Sequence, residues 1–143
     1  MIKIKRTEFG IHLTFAGLPQ RRETEQWLED SKPVLAEMSG GFGVFVDMRE
    51  LILLPPESQP ALREGQTMYR ESGMVRSVVI LRDELILMQF KRIAKQTGIY
   101  EWERYIDSES EPNWEQVGLD WLVDGIDPDK IEDPQPQEAK IDS

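Results

Sequence analysis

One histidine, His12, and no cysteine in 143 residues remove most nucleophile and metal chemistries at once. A Ser-His-Asp or Cys-His arrangement lacks its usual parts, and so does a zinc site. His12 sits between Ile11 and Leu13 on an alternating stretch, so it is expected on the solvent side of a strand. Carboxylates and arginines remain. Asp47 and Arg49, two residues apart after an apolar run, form a candidate pair for orienting a ligand at a sheet's carboxyl edge. The simpler reading is a carboxylate that accepts loop amides and is neutralised by its neighbour. Arg76 and Arg104 lie beside later apolar runs and are candidates for one shared cationic site, with ordinary ion pairs as the alternative. Ser58, after Leu54-Pro55-Pro56-Glu57, is read first as a helix N-cap. The acids show no ligand-loop spacing, and the glycines form neither a phosphate-cradling loop nor a dinucleotide fingerprint. No catalytic residue, metal site or cofactor is therefore assigned, and the chain is expected not to be an enzyme.

The elements that must position these residues follow from periodicity. Ile2-Lys3-Ile4-Lys5-Arg6 and Ile11-His12-Leu13-Thr14-Phe15-Ala16 alternate on either side of Glu8-Phe9-Gly10, as a β-hairpin does. Trp27, Leu28, Val34, Leu35 and Met38 form a helical stripe, which Pro33 is expected to kink or split. Phe42 to Val46 is a short apolar run, expected as a parallel strand buried on both faces, and Val75 to Leu81 is expected as the next buried strand. Between them Leu62, Gly65, Met68, Tyr69 and Ser72 share a helical face, with Gly65 permitting close approach to the sheet. Asp83 is placed to cap a helix running to Thr97, and Gly98 to end it. Trp102 to Ile106 reads as a last strand and Trp114 to Leu122 as a last helix, with Trp27, Trp114 and Trp121 in the core and Trp102 near a strand start.

Leu85, Ile86, Leu87 and Met88 are consecutive, and four consecutive helical positions point around the whole circumference. With Ile86, Phe90 and Ile93 facing inward, Leu85 and Met88 fall to the flanks, where a neighbouring helix, another chain or an apolar ligand meets them.

The net charge of −10 is unevenly spread. Residues 1–106 carry 15 acidic and 15 basic side chains, whereas 107–143 carry 12 acidic residues against Lys130 and Lys140. A neutral body with a negative end attracts neither nucleic acid phosphates nor an anionic bilayer. No apolar stretch approaches the roughly 20 residues of a membrane span, and the first residues lack a signal peptide's apolar run, so a cytoplasmic location is expected. Residues 1–125 are expected to form one domain and 126–143 an acidic, disordered tail with little to bury.

The order ββαβαβαβα implies an α/β fold with a mixed five-stranded sheet, mostly parallel, carrying an N-terminal hairpin and about four helices. In this order, and in Val44-Phe45-Val46-Asp47-Met48-Arg49, Val75-Arg76-Ser77-Val78-Val79-Ile80 and Glu103-Arg104-Tyr105-Ile106-Asp107 leading to Gly118-Leu119-Asp120-Trp121-Leu122, the chain resembles STAS domains over residues 2–123. It resembles most the bacterial anti-sigma-factor-antagonist-like proteins and those STAS-like proteins grouped with lipid-binding Sec14-type domains. In the phosphorylated members an Asp-Ser pair opens the helix after the central strand; here prolines stand there, and Ser58 lies two residues later. The resemblance implies a non-catalytic regulatory or protein-interaction domain, whose partner is another protein or a second copy. Its alternative implication is carriage of a small apolar or lipid-like ligand, for which a closed pocket lined by Leu54, Met68, Leu87 or Met88 is the expected sign.

Overall fold

The computed structural model describes residues 1–130. Strands β1 (Ile2–Arg6) and β2 (Gly10–Phe15) form the antiparallel hairpin, with Lys5 opposite His12. Helix α1 (Arg21–Ala36), β3 (Phe42–Asp47), α2 (Gln59–Glu71), β4 (Met74–Leu81), α3 (Glu84–Thr97), β5 (Glu103–Asp107) and α4 (Trp114–Asp124) follow. The sheet runs β1-β2-β3-β4-β5, with β2 to β5 parallel. Each step to the next parallel strand goes the same way, and crossovers share one hand, so α1, α2 and α3 all land on one face. That face holds the larger core, in which Leu13, Phe15, Val44, Val46 and Val79 meet Trp27, Leu62, Tyr69, Phe90 and Ile93. Among the described residues only α4 covers the other face, packing Trp121 and Leu122 on Phe45, Val78, Ile80 and Ile106.

Local signals set the helix ends as expected for α3. Asp83 Oδ1 accepts from the Leu85 and Ile86 amides at 2.7 and 3.2 Å, and Gly98 closes the helix at φ 84°. The first edge strand is short and carries Lys3, Lys5 and Arg6, which discourages pairing with another sheet.

Five expectations need correction. α1 is not split, because Pro33 lies in its last turn, where only the Glu29 carbonyl loses a donor and the buried Leu35 holds the turn down. Gly65 serves Trp27 rather than the sheet: a methyl group there would lie 2.2 Å from Trp27 Cη2. Trp102 belongs to a 3-10 turn, Tyr100–Trp102, and β5 begins at Glu103. His12 is half-buried rather than exposed, stacked on Phe45 at 5.2 Å and 11°, and burial holds its pKa below the ordinary value. Residues 126 to 130, assigned from the sequence to the tail, are part of the described structure, with a 3-10 turn at Pro128–Lys130 and Asp127 paired to Arg104. The disorder expected of residues 131–143 falls outside the described residues.

Candidate functional site

Asp47 is the last residue of β3, and Arg49 turns back onto it. The guanidinium donates from Nε to Oδ1 at 3.0 Å and from Nη2 to Oδ2 at 2.9 Å, and the Arg49 amide donates to Oδ1 at 3.1 Å. Burial pushes the Asp47 carboxyl up, but these bonds outweigh it and hold the pKa below the usual carboxylate range. The Arg49 guanidinium lies 4.2 Å from the centroid of the Trp114 ring. The pair therefore satisfies itself and ties the end of β3 to the start of α4.

Arg76 and Arg104 sit near the amino ends of β4 and β5, roughly 13 Å along the sheet from Asp47, since Asp47 pairs with Ile80, four residues past Arg76. The two arginines do converge, but on an aromatic ring. Arg104 lies 4.4 Å and Arg76 5.5 Å from the Trp121 ring centroid. Arg104 forks onto Asp127 at 2.7 and 2.9 Å, and Arg76 donates to the Leu122 carbonyl at 3.2 Å. These contacts fasten α4 and the segment after it to the sheet.

Ser58 belongs to neither place. It stands at the start of α2 without a capping bond, is fully buried, and donates from Oγ to the Pro19 carbonyl at 2.8 Å. The N-cap reading is thus corrected: the hydroxyl joins two loops 39 residues apart. A buried hydroxyl engaged in this way is also no open phosphate acceptor.

Leu85 and Met88 behave differently, being 72% and 62% exposed. At the same carboxyl edge Leu18, Ile52 and Leu53 are exposed as well, at 47%, 66% and 43%. The backbone that presents them is fixed. Gly17 donates to Glu50 and Ile52 to Gly17, each at 2.9 Å, and Gln89 of α3 donates to the Leu54 carbonyl at 3.0 Å. Two four-residue apolar runs are divided in the same manner: Leu51 and Leu54 are buried while Ile52 and Leu53 face out, and Ile86 is buried while Leu85 and Met88 face out. Ile52 and Leu53 were not foreseen, although a four-leucine/isoleucine run before Pro55-Pro56, outside any regular element, was the available signal.

A second unforeseen group is Glu103, fully buried on β5. Its carboxyl accepts from Ser77 Oγ and from the Tyr105 hydroxyl, each at 2.7 Å, and burial pushes its pKa up to about 7. It lines one end of an interior cavity of about 40 Å³ among Trp27, Leu62, Val79, Phe90 and Ile99. None of Leu54, Met68, Leu87 or Met88 lines that cavity. Its volume admits a few waters, whereas ligand pockets occupy several hundred Å³. Of the four, Leu87 lines a separate, open cleft of about 420 Å³ whose other walls include Lys91, Glu101, Arg104 and Asp129, which is not the closed apolar pocket expected for carriage. Among the described residues, no group of three His, Asp or Glu side chains is arranged to hold a metal ion, and no helix is long and apolar enough to cross a membrane.

No protein-family model matches the chain, and no curated protein does. Among solved structures it is similar to an uncharacterized protein from Shewanella loihica PV-4, of the DUF3478 family with a SpoIIAA-like fold. The two are 19% identical, the likeness covers 85% of this chain and 92% of that one, and the TM-score is 0.54. Identity at that level speaks for architecture alone. The chain has a SpoIIAA-like, and therefore STAS-like, α/β fold.

Proposed function

We propose that the chain is a non-catalytic protein-interaction module of regulatory type, which docks a protein partner on the apolar shelf at the carboxyl edge of its sheet. The observation that carries this reading is that Leu18, Ile52 and Leu53 on hydrogen-bonded loops and Leu85 and Met88 on the first turns of α3 are all held outward. Exposed apolar groups grouped on a rigid frame favour association, because their burial releases water at no cost in loop ordering. The polar groups fit the same reading. Asp47 and Arg49 are consumed by each other, Ser58 by Pro19, and Arg104 by Asp127, so none is presented to a substrate.

A photoreactive residue at position 88, introduced in cells that make the chain natively, identifies the neighbour of the shelf. The purified neighbour is then titrated with the wild-type chain and with L85E/M88E. The expected outcome is at least about tenfold weaker binding by the variant with its melting temperature kept. Equal affinities would overturn the proposal.

A further inference from the structure

The outward ridge of α3 changes character along its length. Leu85 and Met88 occupy its first half; Arg92 and Lys95, on the same stripe, occupy its second. Lys91 lies beside them, and from α2 Arg63 and Arg70 reach across to the Gln96 side chain and the Gly98 carbonyl at 3.4 and 3.1 Å. Among the described residues none of these five cations is in an ion pair. This ridge is apolar and then basic.

On the opposite face of the sheet the outer side of α4 is its complement. A groove of about 500 Å³ runs between α4 and the β1–β2 turn, with Phe9, Leu119 and Val123 as its apolar part and Glu8, Asp120 and Asp124 as its charged part. No basic residue lines it, and among the described residues these three acids form no ion pair. Val123 is 58% exposed. Asp120 and Asp124 belong to the region that holds the whole negative excess of the chain.

We propose that the α3 ridge of one molecule docks in the α4 groove of a second copy. Ridge and groove lie on opposite faces of one sheet, so a molecule cannot satisfy its own. The contact is head to tail, with Leu85 and Met88 against Phe9, Leu119 and Val123, and Arg92 and Lys95 against Asp120 and Asp124. A heterologous contact leaves one ridge and one groove unfilled at the ends, and so extends into a chain or closes into a ring. Rim ion pairs between exposed groups are weak and screened, so the association is modest and salt-sensitive. This inference rests on the reading of α3 as a docking surface and names its occupant.

Sedimentation velocity of the full chain over concentrations up to about 1 mM tests it. The wild type is expected to sediment faster as concentration rises and to return towards monomer at about 0.5 M salt. R92E/K95E alone and D120K/D124K alone are each expected to weaken association at least about tenfold, and the chain carrying all four reversals to regain it. A wild type that stays monomeric throughout would overturn the proposal. Association that persists in D120K/D124K would also overturn it, since the groove would then have no part. Neither result touches the partner titration with L85E/M88E, so failure of this contact and failure of the docking reading are read separately.

Discussion

At the amino edge of the sheet, charged groups close on one another over an aromatic ring: Arg104 forks onto Asp127, Arg76 bonds the Leu122 carbonyl, and both lie against Trp121. At the carboxyl edge, two loops and the first turns of α3 hold five large apolar side chains in water. Residues that resemble a binding site in the sequence are therefore fasteners, and the exposed large side chains at the carboxyl edge are leucine, isoleucine and methionine. The difference follows from what each edge must do. The amino edge anchors α4 and the segment after it, whereas the carboxyl-edge loops are anchored from below by Leu51, Leu54 and Ile86 and leave their outer side chains free.

The contrast is broken most severely at the amino edge by Trp121→Ala. It removes a buried aromatic, the indole bond to the Ser77 carbonyl at 2.9 Å and the support of two arginines. A loss of about 3–5 kcal/mol is expected from urea unfolding. Next is the pH response set by Glu103. Its folded pKa near 7 exceeds the ordinary 4.5, so the folded state holds a proton that the unfolded state has given up. That contribution is complete below about pH 4.5 and is lost as pH rises through 7, costing up to about 3 kcal/mol. Glu103→Gln is expected to flatten this slope in unfolding measured from pH 4.5 to 7.5, and an unchanged slope would assign the titration elsewhere.

A smaller effect sharpens the domain boundary. Ending the chain at residue 125 removes Asp127 from a largely buried pair with Arg104 and is expected to cost about 1–2 kcal/mol by thermal melting. Least of all, L85E/M88E is expected to shift stability by no more than about 0.5 kcal/mol, since both side chains already face water. A large loss there would make the shelf a piece of core.

What was legible in the sequence was what neighbours along the chain decide. The apolar runs at Val44–Val46 and Val78–Leu81, the Asp83 cap and the Gly98 stop depend on residues within a few positions, and the mixed, mostly parallel sheet followed from the alternation of strands and helices. What escaped depends on contacts between distant segments. Ser58 is claimed by Pro19, Glu103 by Ser77 across 26 residues, Gly65 by Trp27, and His12 by Phe45 on the adjacent strand. Asp47 and Arg49 were legible as a pair because they are two residues apart, whereas the convergence of Arg76 and Arg104 on Trp121 needed the register of β4 and β5. The shelf was half legible: the helical stripe exposed Leu85 and Met88, but no periodicity governs Ile52 and Leu53 in a loop.

The central claim, that the shelf at the carboxyl edge docks the partner while the charged cluster on Trp121 only fastens α4, is tested most directly by calorimetric titration of the cross-linked partner against three variants. The account predicts that I52S/L53S and L85E/M88E each weaken binding at least about tenfold and that D127A leaves it unchanged. Binding that is lost in D127A and kept in both shelf variants would contradict it.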